Sequence, residues 1–317
     1  MKKWLIVTMI ISTMLVGCNN AASTSANANN ENKDKNISTT DFSGKTSENE
    51  NDKTANKDID FECKSNDLTI RGSIRLPSDF DKNNSKKYPV IIMSHGILGD
   101  RNQGELFSGL ADKLEDKGVV TVRFDFDGYG SSDGKLVNNS IKTEVNDLKS
   151  VIQYVKTLDY IDTKQLNLVG FSMGGAATSI VAGELKDEIA NVVLWAPAAV
   201  LVDDCAAGRL MDATVDVNNL PNEIPVMGGQ FTFGKAFFKD AIGLDIYGEA
   251  KQYTGPVLIL QGNADKIVPM SYSEKYNQNY ANSKLVVIDK GEHVFSGEPL
   301  QQVIKLTVDF FNEKITR

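Results

Sequence analysis

From residue 59 onward, short apolar runs alternate with helix-length amphipathic segments. The runs at 59–64, 68–76, 89–94, 119–125, 166–170, 192–195, 257–261 and 285–288 predict strands. The segments at 104–117, 141–157, 173–185, 271–280 and 298–313 carry helical periodicity. The later runs are almost wholly apolar and β-branched, as expected for parallel strands covered on both faces. The first two alternate polar and apolar residues and predict an antiparallel hairpin at a sheet edge. Strand–helix alternation of this kind builds an α/β domain around a mostly parallel, doubly wound sheet. Between Pro197 and Gly255 the rhythm breaks, with several glycines and scattered aromatic residues. A loop of that length without structure of its own is uncommon in a domain, so residues 198–254 are expected to form a lid inserted after the sixth core strand.

The beginning of the chain follows a different rule. Lys2 and Lys3 precede an apolar stretch from residue 4 to 16, which is short for a membrane span and has the layout of a signal peptide. It ends in Leu15-Val16-Gly17-Cys18, which resembles a bacterial lipoprotein lipobox. Residues 1–17 are therefore expected to be removed and Cys18 to carry lipid, anchoring the protein to the membrane outside the cytoplasm. Residues 18–58 are rich in Asn, Ser, Thr, Lys, Asp and Glu, with too little apolar surface to offset the entropy of ordering them. They read as a tether, and residues 59–317 as the folded domain.

Composition narrows the chemistry. The 317 residues include 34 Lys and Arg against 42 Asp and Glu, a formal charge of −8, which disfavours nucleic acid as a partner. Three cysteines cannot build a disulfide scaffold and include no CxxC pair, and Cys63 and Cys205 are expected to stay unpaired. With only His95 and His293 in the chain, a multi-histidine metal site is excluded.

Gly170-Phe171-Ser172-Met173-Gly174 follows a strand and opens a helix, which is the context that gives G-x-S-x-G its meaning as a nucleophile turn. Serine needs a base within hydrogen-bond reach. His293 is the one histidine after Ser172, just past the last strand, and is the candidate base. Asp265, on the loop beyond the 257–261 strand, is placed to orient it. Asn263 carries no charge, and Asp289 and Glu292 lie too near His293 along the chain. Ser94-His95-Gly96-Ile97 follows the third strand, so the N–H groups of Ile97 and Met173 are the expected oxyanion donors, with His95 propping the loop. The Gly-rich turn at 123–134 reads as structural support behind the nucleophile.

Over residues 61–311 the chain resembles the α/β-hydrolase family, on the residues His95-Gly96-Ile97, Gly170-Phe171-Ser172-Met173-Gly174, Asp265 and His293, in that order. Within the family it is most similar to bacterial cinnamoyl and feruloyl esterases. The closer likeness rests on Arg123-Phe124-Asp125-Phe126, the following Gly128-Tyr129-Gly130-Ser131-Ser132-Asp133-Gly134, Ala196-Pro197-Ala198-Ala199 and His293-Val294-Phe295-Ser296. The resemblance implies hydrolysis of small-molecule or carbohydrate-linked esters of hydroxycinnamic acids, with no metal or organic cofactor. It also makes the lid the acyl pocket, with Asp204 and Phe237 as substrate contacts. The elbow reads Phe-Ser-Met where those esterases often have His-Ser-Gln, and Ile97 stands where an aromatic residue is frequent, so the pocket floor is more aliphatic. Lysophospholipase, acylglycerol lipase or aminopeptidase-like chemistry is the alternative within the class. A non-catalytic ligand-binding lipoprotein is the alternative outside it.

Overall fold

The computed structural model describes residues 58–315. The expected signal peptide, the lipidation site Cys18 and all but the last residue of the tether lie outside the described residues. The chain opens with strands β1 (Asp58–Ser65) and β2 (Leu68–Arg75), paired antiparallel as the polar–apolar alternation requires. There follow β3 (Tyr88–Ser94), α1 (Leu106–Glu115), β4 (Val120–Phe124), α2 (Ile141–Lys156), β5 (Ile161–Phe171), α3 (Ser172–Leu185) and β6 (Asn191–Trp195). The inserted segment contains α4 (Val200–Ala206), β7 (Arg209–Leu210), β8 (Ala213–Thr214), β9 (Glu223–Val226), β10 (Phe231–Gly234), α5 (Lys235–Ala241) and α6 (Ile246–Ala250). The core resumes with β11 (Val257–Gly262), α7 (Met270–Asn279), β12 (Ser283–Ile288) and α8 (Gly297–Lys314).

Eight strands form one sheet in the order β1-β2-β4-β3-β5-β6-β11-β12. From β4 to β12 every pairing is parallel. The alternation of side chains along β3 shows why these strands read as unbroken apolar runs. Val90 and Ile92 join the cluster formed with α2 and α3, while Ile91 and Met93 join the opposite cluster with α1 and α8. β12 departs from the expectation of two covered faces: it is the sheet edge, and of its residues only Ile288 is buried. β5 begins at Ile161 rather than 166, because its first turn of chain, Asp162-Thr163-Lys164-Gln165, is polar and pairs irregularly with β3.

The lid has a core of its own. Phe233, Phe237 and Phe238 are buried and meet edge to face. Ser140, the N-cap of α2, accepts from Thr143 N–H and donates to Asp240 of α5, tying the lid to the sheet's helical layer.

One feature of the core has no apolar rationale. Asp127, Glu144 and Asp147 are all buried where the Gly-rich turn meets α2, and both carboxyl oxygens of Glu144 lack a protein partner among the described residues. Burial drives Glu144 well above the usual carboxyl range, reinforced by Asp147 and Asp127. Burial also pushes Asp147 up to about 7, against the hydrogen bond it accepts from Asp127 N–H. Between the ordinary aspartate range and about 7, the native state therefore holds a proton at Asp147 that the unfolded chain releases. Stability from this group is full at low pH and declines as pH rises through that window, by as much as about 1 kcal/mol per pH unit. Asp147→Asn keeps an oxygen for Asp127 N–H and abolishes the titration. The melting-temperature difference between the two proteins should thus shift in favour of the variant between pH 5 and pH 7.5. A difference that is the same at both pH values would refute the linkage.

Candidate active site

Three loop tips at the carboxyl ends of β5, β11 and β12 carry Ser172, Asp265 and His293. Ser172 sits where β5 turns directly into α3, with φ +53°, a left-handed conformation that a residue with a Cβ adopts only when its surroundings impose it. The imposed contact is visible at Gly174, where an added Cβ would stand 2.2 Å from the carbonyl oxygen of His95. The elbow is thus wedged against the end of β3 with room for hydrogen only. At Gly96 the approach comes from the other side, since a Cβ there would meet Ser172 Cβ at 3.0 Å.

Ser172 Oγ lies 2.9 Å from His293 Nε2, and His293 Nδ1 lies 2.9 Å from Asp265 Oδ2. A carboxylate can only accept, so Nδ1 carries the hydrogen and Nε2 keeps the lone pair that faces the hydroxyl. Ser172 is 3% exposed. Asp265 Oδ1 also accepts from the N–H groups of Ile267 and Val268, and Oδ2 from Gln261 Nε2. Burial alone would raise Asp265, but the contact with His293 and the two backbone donors outweigh it and hold the carboxyl below its usual range.

Asn263 joins the acid loop to the histidine loop. Its side chain donates to Asp289 and accepts from Lys290 N–H, and Ala264 N–H donates to the carbonyl of Gly291. Gln261 was legible only as the polar end of an apolar strand. It is fully buried, donates to Asp265 and to the carbonyl of Val268, and accepts from Ser273. A lone amide closing an apolar run is the sequence signal that such a brace leaves, because burying it demands several partners.

The loop after β3 runs beside the elbow. Among the described residues Ile97 N–H has no acceptor, and Met173 N–H belongs to the first turn of α3, where backbone donors have no partner within the helix. His95 is fully buried; its Nε2 accepts from Phe126 N–H, so its Nδ1 carries the hydrogen and donates to the carbonyl of Gly96. Burial lowers its pKa, which keeps it neutral in this bridging role. The Gly-rich turn proves to brace this loop, rather than to stand behind the nucleophile. Asp125 accepts from Arg101 N–H and from its guanidinium, and Tyr129 packs edge-on against His95. Burial of Asp125 is outweighed by Arg101 and Ser131 N–H, leaving it below the usual range.

Asp204 and Phe237 are not joined to this constellation. The Asp204 carboxylate is ion-paired to Arg209 within the lid, and Phe237 is 2% exposed in the lid core. The lid meets the site through backbone instead, with Ala198 N–H donating to the carbonyl of Ser172. Cys63 and Cys205 are free and buried. Among the described residues no group of three or more His, Cys, Asp or Glu side chains could hold a metal ion.

Residues 89–219 match the family described as alpha/beta hydrolase fold. The chain has the α/β-hydrolase fold. Est1E from Butyrivibrio proteoclasticus, in a structure with ferulic acid bound, superimposes with a TM-score of 0.74 at 26% identity, covering 81% of this chain and 100% of that one. The esterase domain of a Rhodothermus marinus protein shares the fold with a TM-score of 0.61 at 18% identity, over 81% of this chain and 98% of that one. In sequence, an uncharacterized 31.7 kDa Escherichia coli protein is 35% identical over 28% of this chain. The quorum-quenching protein AidA of Acinetobacter baumannii is 27% identical over 44% of this chain and 43% of its own length. The chain spans 30% of the length of the 31.7 kDa protein and 37% of that of YcjY from Escherichia coli K12.

Proposed function

We propose that the protein is a serine carboxylic-ester hydrolase acting on hydroxycinnamoyl-type esters. The observation that carries this reading is the unbroken relay Ser172–His293–Asp265, both links at 2.9 Å, with the serine hydroxyl on a strained turn. Ser172 Oγ attacks the ester carbonyl while His293 Nε2 takes its proton. The carbonyl oxygen, now an anion, is held by the N–H groups of Ile97 and Met173, each worth a few kcal/mol because they are fixed before the charge forms. His293 returns the proton to the departing alcohol and leaves an acyl-Ser172. Water, deprotonated by the same imidazole, then releases the acid and restores the serine. Asp265 keeps its charge throughout and stabilises the imidazolium.

The preference for an aromatic acyl group draws support from the likeness to Est1E, whose structure holds ferulic acid. The resemblance places the aliphatic Ile97 and Met173 where the phenolic-ester hydrolases carry other residues, which favours uncharged acyl groups without distinguishing aromatic from alkyl ones. The test is a substrate panel of methyl ferulate, short p-nitrophenyl esters, monoacylglycerols and aminoacyl amides. Methyl ferulate should exceed the monoacylglycerols in kcat/KM by about tenfold or more, the discrimination that 1.4 kcal/mol of differential binding gives. A preference for monoacylglycerols would transfer the reading to a lipase, and no turnover of any ester would leave only a binding protein.

A further inference from the structure

Apart from the relay, the β1–β2 hairpin and helix α2 flank a shallow, open cleft of about 550 Å³. None of its lining residues belongs to the catalytic constellation. Along α2, Asn146, Ser150, Gln153 and Thr157 recur at helical spacing and turn one polar stripe toward the cleft. Asn66, held at φ +51° in the hairpin turn, faces them.

Among the described residues the side-chain amides of Asn66, Asn146 and Gln153 make no hydrogen bond, so each offers two donors and an acceptor. Ser150 and Thr157 donate to carbonyls of their own helix and keep their oxygens as acceptors. Tyr154 adds an aromatic surface. Buried Phe61 stacks parallel against this ring, with centroids 4.9 Å apart and planes 9° apart, and fixes it where it lines the cleft.

The charges identify the kind of ligand. No carboxylate lines the cleft, and of its two cations Lys149 is ion-paired with Glu184 at 2.7 Å while Lys64 donates to the neutral Thr69 hydroxyl at 2.8 Å. An anion would find a single cation without a carboxylate partner, Lys64, set among neutral amides and hydroxyls. A cation would find no anion. A molecule with many neutral hydroxyls and one apolar C–H face fits amides on two sides and a ring on the third. We propose that this cleft is a subsite for a neutral glycan chain. The inference stands on the cleft itself and does not depend on the esterase reading; combined with that reading, it would hold a polymeric substrate while its ester side groups reach Ser172.

The test titrates the whole chain with xylohexaose and cellohexaose, and separately with oligogalacturonate and inorganic phosphate. Saturable binding of a neutral oligosaccharide is expected, weakened about tenfold in Tyr154→Ala, the loss of one stacking contact. The same weakening is expected in the double variant Asn146→Ala/Gln153→Ala, whose side chains lie outside the core and whose melting temperature should match the parent. If Tyr154→Ala fails to fold, the double variant decides. Ser172→Ala should bind the glycan as tightly as the parent, which separates failure here from failure of the esterase reading. Absence of neutral-glycan binding, equal binding by the double variant, or a preference for phosphate or oligogalacturonate would each overturn the subsite.

Discussion

Ser172→Ala should lower kcat toward esters by about 10⁴-fold or more and abolish labelling by a fluorophosphonate, while the melting temperature changes little. The size follows from the geometry. Removing the oxygen removes the covalent path altogether, since no other nucleophile lies within the relay. What survives is the electrostatic stabilisation that backbone donors give to direct attack by water. The fold should tolerate the change because alanine keeps the Cβ and the left-handed backbone at φ +53° is imposed by Gly174 and Gly96 packing, not by the hydroxyl. Full activity, or labelling that persists at another residue, would move the chemistry elsewhere in the molecule.

Asp265→Asn is the second large effect, with kcat falling about 10³- to 10⁴-fold at nearly constant KM. The aspartate accepts from four donors: His293, Gln261, Ile267 and Val268. An asparagine has one acceptor oxygen for them. If that oxygen stays with the backbone N–H groups, the amide nitrogen faces His293 Nδ1 and donates to it. The imidazole hydrogen is then forced onto Nε2, which points at Ser172 and can no longer take its proton. A second consequence is loss of stability, because Gln261, buried and committed to this carboxylate, meets a donor instead of an acceptor. Activity within tenfold of the parent would mean that another group orients His293.

Much of the sheet was legible because burial on both faces leaves an unmistakable mark. Residues such as Val90 to Met93 must all be apolar when alternate side chains enter different layers. Where a strand is exposed or polar the mark fades, which is why the first residues of β5 and the half-exposed edge strand β12 departed from expectation. The order Ser172, Asp265, His293 could be named from motif, chain order and the scarcity of histidine. Asp204 and Phe237 followed only from the resemblance of the lid, and the structure places one in an ion pair and the other in the lid core.

The amino-acid order by itself thus determined the layer architecture, the turn that carries the serine and the identity of its partners, since each depends on local pattern or on a residue type with few copies. Tertiary structure alone decided what else braces them: Gln261 beneath Asp265, the Arg101–Asp125 pair beside the loop after β3, and the buried acids between the Gly-rich turn and α2. Those are polar contacts between residues far apart along the chain. Their partners become definite only when the sheet brings the loops together and the surrounding apolar packing excludes the water that would otherwise serve in their place.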